Sequence, residues 1–315
     1  MTARSRLLSA LIAALTSCGT APAPHLPRYE VFVLGRAQDG GLPHLGCDRE
    51  ACCAAARRSG RVETPACLGI HDRSTGALAL IEATPAVEVQ IARLHALSAV
   101  PPRGRRPVDA VLLTHAHIGH YLGLAHFGRE VAATAGLAVH CSERMGSYLR
   151  GHGPWRQLVE LGQIELRTTP AGGNFTLFDG LEVELIAVPH RDEWSDTVAI
   201  RIRGPERCLL FCPDVDAWDR HAGLLERLLD GVDVAYLDAT FFDGRELPER
   251  ARAEIPHPPM VDTMARLAEA ARASPGRIRF IHLNHSNPAW NEPGLGAEIE
   301  ARGFRIAAVG ERVGL

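Results

Sequence analysis

His115, His117 and His120 stand within six residues of one another, directly after the apolar run Val111-Leu112-Leu113-Thr114. That run reads as a buried strand, and Leu122 and Leu124 beyond the histidines belong to an apolar stretch that can start a helix. Side chains two apart in an extended segment point the same way, so His115 and His117 present both imidazoles to one side. His120 arrives from the following turn. Imidazole nitrogen suits zinc and similar borderline metals. The chemistry expected at this strand end is therefore metal chemistry.

The elements that position such a cluster can be read from hydrophobic patterning. Alternating or nearly continuous apolar runs predict strands at 29–34, 77–81, 110–113, 137–140, 164–167, 181–188, 197–202 and 208–212. Later strands are expected at 232–237, 278–283 and 304–309. Helical spacing marks 86–97, with Thr84-Pro85 suited to an N-cap and a first-turn proline, and also 224–229 and 260–273. Two runs of strands with interspersed helices suggest two sheets packed face to face, with helices outside.

The segment His115-Ala116-His117-Ile118-Gly119-His120 resembles the His-x-His-x-Asp-His hallmark of the metallo-β-lactamase superfamily. The resemblance covers most of residues 29–310 and implies an α/β fold, an αββα four-layer sandwich of two mixed sheets. By the same resemblance, His190 after the strand at 183–188 completes a first metal site with His115 and His117. Asp214 after 209–212 bridges to a second metal held by His120 and His285. His282 competes with His285 and Asp216 with Asp214. The aspartate of the motif is Gly119 here, so the second site is expected to be weaker, altered or empty, with Asp192, Glu193 and Asp238 as replacement carboxylates.

The opening Gly35-Arg36-Ala37-Gln38-Asp39-Gly40-Gly41-Leu42-Pro43-His44 looks like that of the pyrroloquinoline quinone biosynthesis protein B group. It is also similar to the phosphoribosyl cyclic phosphodiesterase of phosphonate metabolism. Both carry a Cys-x-Cys-x-x-Cys zinc knot after the glycines. In this chain Cys47 and Cys52 match the outer cysteines and Arg49 stands at the middle one. Cys53 is the substitute and His257 the candidate fourth ligand of a structural metal, the other reading being free thiols or a disulfide. The segments 189–197, 238–242 and 284–288 resemble the same quinone-biosynthesis group.

The function implied is a metallo-hydrolase in which zinc, as one or two ions with iron or manganese as alternatives, activates water against an ester, lactam or phosphodiester. Asp214 is the catalytic carboxylate. Metal-dependent oxidation in quinone-cofactor biosynthesis is the second reading, and a non-catalytic lipoprotein with a degenerate site the third. The partner expected is a small-molecule substrate. A formal charge of −3 and 5% aromatic residues provide neither the field nor the stacking surface of a nucleic-acid binder. Residues 1–18 read as a lipoprotein signal: Arg4 and Arg6, the apolar stretch 7–15, and Leu15-Thr16-Ser17-Cys18, which resembles a lipobox. Cys18 is the expected lipidation site and membrane anchor, 19–28 a tether, and 29–315 the metallo-β-lactamase-like domain. The absence of an aspartate after Cys18 favours the periplasmic face of the outer membrane. Seven further cysteines would then lie in an oxidising compartment, an odd number that leaves at least one thiol free or metal-bound.

Overall fold

Strand β1 (Tyr29–Gly35) shows how the chain builds its layers. Successive side chains of a strand point to opposite faces. Tyr29, Val31 and Val33 enter the space between two sheets, while Phe32 and Leu34 pack beneath helices on the outer side. Both faces are thus covered, which is why β1 reads as a continuous apolar run. A computed structural model of the chain describes residues 26–247 and 255–315. The proposed signal segment, Cys18 and most of the tether lie outside the described residues.

The first sheet continues through β2 (Cys67–Asp72), β3 (Ala77–Ile81), β4 (Ala110–Leu112), β5 (Leu137–Ser142) and β6 (Ile164–Thr169). The second comprises β7 (Asn174–Phe178), β8 (Leu181–Val188), β9 (Thr197–Arg203), β10 (Cys208–Cys212), β11 (Val234–Asp238), β12 (Ile278–Ile281) and β13 (Arg305–Ile306). Strand β14 (Arg312–Gly314) returns to the edge of the first. The strand orders are β14-β1-β2-β3-β4-β5-β6 and β13-β12-β11-β10-β9-β8-β7. Each sheet is mixed: β3 to β6 and β10 to β13 run parallel, and the remaining pairs are antiparallel.

Between the sheets, Ile70, Ile81 and Leu112 meet Val183, Ile200, Phe211 and Tyr236. Burying each such side chain stabilises the fold by about 1.5–3 kcal/mol. The helices Val87–Ser98 and Glu143–Gly151 cover the outer face of the first sheet, and Leu224–Leu229, Met260–Arg266 and Leu295–Ala301 cover the second. The arrangement is the expected αββα sandwich.

Local differences have local causes. The helix expected over 260–273 breaks at Leu267 into two short helices. The strand expected at 304–309 is only Arg305–Ile306, because Gly310 then turns the chain with φ 86°. Thr84 does not cap the first long helix, whose N-cap is Ala86; its hydroxyl accepts the Ala86 N–H and donates to Gln90. Among the described residues, no helix is long and apolar enough to cross a membrane.

Candidate metal centre

The ligand-type side chains converge where strands of both sheets end. His115 and His117 follow β4, His190 follows β8, Asp214 follows β10, Asp238 closes β11, and His282 follows β12. The carboxyl ends of sheet strands are where covered side chains can emerge into a shared crevice. Two hydrogen bonds tie the sheets together there: Val198 N–H donates to the Thr114 carbonyl at 3.1 Å, and Ala116 N–H donates to Ser195 Oγ at 2.9 Å.

Two trios of donors result. His115, His117 and His190 offer ring nitrogens within 4.8 Å of one another, and so do His120, His282 and the Asp39 carboxylate. Asp214 lies between them. Its Oδ1 is 3.7 Å from His190 Nε2, while Oδ2 is 3.0 Å from His120 Nε2, 3.3 Å from His282 Nε2 and 4.0 Å from His115 Nε2. Oδ2 lies nearest His120 and His282, with His115 farther off, and Oδ1 lies nearest His190, a placement from which Asp214 could reach a cation at either trio.

The rings are aimed by surrounding polar groups. Thr114 Oγ1 donates to Glu82 at 2.5 Å and stands 2.9 Å from His115 Nδ1, where it can accept that ring's N–H and leave Nε2 bare. Thr240 Oγ1 does the same for His282: it donates to Asp238 at 2.7 Å and lies 3.1 Å from His282 Nδ1. Asp216 Oδ1 is 3.3 Å from His190 Nδ1, and Glu82 Oε1 is 3.3 Å from His120 Nδ1. Such partners fix tautomer and ring orientation in metal sites. Two of the residues concerned, Glu82 and His282, hold left-handed backbone conformations, with φ of 77° and 67°. For residues other than glycine this costs about 1–3 kcal/mol each and persists where the surroundings impose it.

The donor set fits a metal. His115 Nε2, both ring nitrogens of His120, His190 Nε2 and Asp214 Oδ2 are buried and close to one another or to Glu82, yet none of these atoms is in hydrogen-bonding geometry with a partner. An orphaned buried polar atom costs about 1–3 kcal/mol, and a cation shared by these lone pairs offsets that cost. Burial and the neighbouring His120 hold His115 well below its ordinary pKa, so its imidazole is neutral and able to ligate. Burial alone would push His120 the same way, but without a cation Glu82 and Asp214 outweigh it and hold His120 well above the usual range, so this carboxylate-rich pocket calls for a positive charge that a proton or a metal ion can supply. The same attraction, from His282 and His120, overcomes burial to keep Asp214 ionised.

His285, expected beside His120, lies elsewhere. Strand β12 ends at Ile281, so the side chain emerging at the strand end is His282, and the chain then turns through Asn284 N–H to the Thr240 carbonyl at 3.1 Å. That turn carries His285 to Cys47, Cys52 and Cys53, whose ligand atoms lie within 4.8 Å of one another. There it stacks on His44 with ring centroids 4.3 Å apart. His257, expected beside those cysteines, has the opposite fate: its Nδ1 is 2.7 Å from Asp238 and 3.7 Å from Asp214. His285 thus stands where His257 was expected, and the place beside His120 is filled by His282. None of the cysteines among the described residues forms a disulfide; Cys47 and Cys52 Sγ are 3.6 Å apart.

Of the replacement carboxylates, Asp192 points toward Arg144 at 4.0 Å and Glu193 stands at the rim, 3.4 Å from His117. Asp238 supports His257 and Thr240 instead. Sequence reasoning missed Asp39 as a donor, although it had marked the glycine-rich loop that carries it.

This fold and centre define a metallo-β-lactamase-type protein. Residues 79–283 match the family model described as the β-lactamase superfamily domain, and the chain belongs to that family. It is 26% identical to coenzyme PQQ synthesis protein B of Methylobacterium sp. (strain 4-46), over 88% of this chain and 97% of that protein. It is 27% identical, with the same coverage, to the protein of that name from Ruegeria pomeroyi. Among solved structures it resembles zinc-bound PqqB from Methylobacterium extorquens, with a TM-score of 0.75, 22% identity, and coverage of 91% of this chain and 100% of that one. A diphosphatase of the PhnP family matches with a TM-score of 0.62 and 21% identity, over 92% of this chain and 98% of that one.

Proposed function

We propose that this protein is a metal-dependent hydrolase whose centre takes zinc and whose substrate is a small ester, lactam or phosphodiester. The observation that carries the reading is the set of orphaned lone pairs on His115, His120, His190 and Asp214, converging from both sheets. His115, His117 and His190 would hold one ion, His120 and His282 a second, with Asp214 between. Imidazole and carboxylate without thiolate suits zinc in a catalytic role. Zinc bound there supplies a Lewis acid that acidifies water and polarises the bond to be broken. Asp214, kept ionised, can orient the attacking water through a hydrogen bond. His257 keeps a proton at Nδ1: burial works against the charge, but Asp238 foremost holds the pKa up to about 9. Its ring stands beside Asp214, with Nδ1 3.7 Å from that carboxylate.

The test is zinc content and turnover together. Protein loaded with zinc should hydrolyse a member of an ester, lactam and phosphodiester panel, and chelation should abolish turnover. His117→Ala should abolish tight zinc binding at the His115, His117 and His190 position, and undiminished zinc by elemental analysis would contradict the assignment. The similarity to coenzyme PQQ synthesis protein B over 88% of the chain favours a second reading, metal-dependent oxidation of a quinone precursor. Iron-reconstituted protein that consumes oxygen with such a precursor, and no hydrolysis, would select it. The lipid anchor at Cys18 rests on residues 1–18 alone and is tested by fatty-acid labelling, which Cys18→Ala should abolish.

A further inference from the structure

We infer that Asp39 supplies the carboxylate that the histidine motif lacks, so that the second cation position is complete although position 119 is glycine. The inference rests on the metal-centre reading above. Gly119 sits in the short helix Ile118–Tyr121, immediately before His120. A Cβ built on Gly119 would fall 2.4 Å from Asp39 Cγ, 2.4 Å from its Oδ1 and 2.5 Å from its Cβ. The carboxyl group of Asp39 thus occupies the space that a side chain at 119 would enter. Asp39 Oδ1 is 3.1 Å from His120 Nε2 and 3.3 Å from His282 Nε2. His120 is 2% exposed, and its Nε2 stands between Asp39 at 3.1 Å and Asp214 at 3.0 Å in hydrogen-bonding geometry with neither, which marks this as a ligand position rather than a solvated acidic patch.

The loop that delivers Asp39 is built to hold it there. Gln38 N–H donates to the Leu283 carbonyl at 2.8 Å and Leu283 N–H to the Arg36 carbonyl at 3.0 Å, so the loop runs as a strand-like extension beside His282. The turn closes with Gly41 N–H donating to the Gln38 carbonyl at 2.7 Å; Gly41 has φ 68° and a Cβ there would meet the Glu63 carbonyl at 2.8 Å. Position 41 therefore requires glycine. The carboxylate has moved from the helix start to the loop after β1, and the two placements exclude each other sterically.

The experiment compares zinc per chain, by elemental analysis after gel filtration, in the wild type, Asp39→Asn, Asp39→Ala, Gly119→Asp and the double variant D39G/G119D. The two Asp39 variants should hold one zinc fewer than the wild type; Asp39→Asn keeps the side-chain shape, so its loss reports the charge. Gly119→Asp alone should also lose zinc through the clash, and the double variant should regain the wild-type count. The cysteine cluster is the same in all five chains, so any zinc it takes up cancels in the differences. An unchanged zinc count in Asp39→Asn and Asp39→Ala overturns the inference while leaving the metal centre standing. A wild type that holds no more zinc than His117→Ala overturns the metal-centre reading itself.

Discussion

That His282 rather than His285 stands beside His120 has a measurable consequence. His282 Nε2 lies 3.3 Å from both Asp39 and Asp214, whereas His285 stacks on His44 near Cys47, Cys52 and Cys53. A ligand present at 100 times its dissociation constant stabilises the native state by about 2.7 kcal/mol. Domains of 150–250 residues shift by about 2–4 °C per kcal/mol, so one bound ion should raise the melting temperature by about 5–10 °C. The low end applies to a domain of this length. His282→Ala should remove about 5 °C from the zinc-induced rise and one zinc per chain, without touching the thiolate site. His285→Ala should keep the zinc of the histidine centre and weaken the other. Cobalt substitution separates the two, because only the cysteine cluster gives a thiolate-to-metal charge-transfer band. That band should persist in His282→Ala and diminish in His285→Ala. The opposite pattern, with His285→Ala emptying the histidine centre, would refute the geometry on which the whole site is built.

Glu82→Gln should weaken zinc binding by about 10–100-fold while leaving the fold intact, the usual effect of removing a carboxylate that orients a ligating histidine; competition with a chromogenic chelator measures it. His257 titrates upward from the ordinary 6.5 to about 9, so its contribution to stability is fully present below pH 6.5 and is lost as pH rises through about 9. Thermal melts of chelator-treated protein should show that loss, and Asp238→Asn should flatten it. Phe211→Ala should destabilise the sandwich by about 3–5 kcal/mol in urea denaturation, because Phe211 is fully buried between the sheets. A smaller loss would mean that the inter-sheet core relaxes around the cavity.

Much of this was legible one residue at a time. Strands β1, β3, β8 and β10 announce themselves because both faces, or alternate residues, are covered by apolar partners. The cluster His115-Ala116-His117-Ile118-Gly119-His120 needed only local pattern to be singled out, whereas His190 and Asp214 were picked from other strand-end residues by the resemblance to the metallo-β-lactamase superfamily. Strand β7 escaped because it is half-exposed and short, and β14 because three residues carry no period.

Tertiary structure decided the rest. Whether His282 or His285 faces His120 depends on where β12 stops, and the two residues are only three apart. Whether His257 serves the cysteines or Asp238 depends on which strand end its loop meets. Asp39 reaches the space beside Gly119 only because the loop after β1 pairs with Leu283, far along the chain. Residue type and spacing set which side chains can ligate; which of them share a cation is a matter of distances between segments that sequence order does not encode.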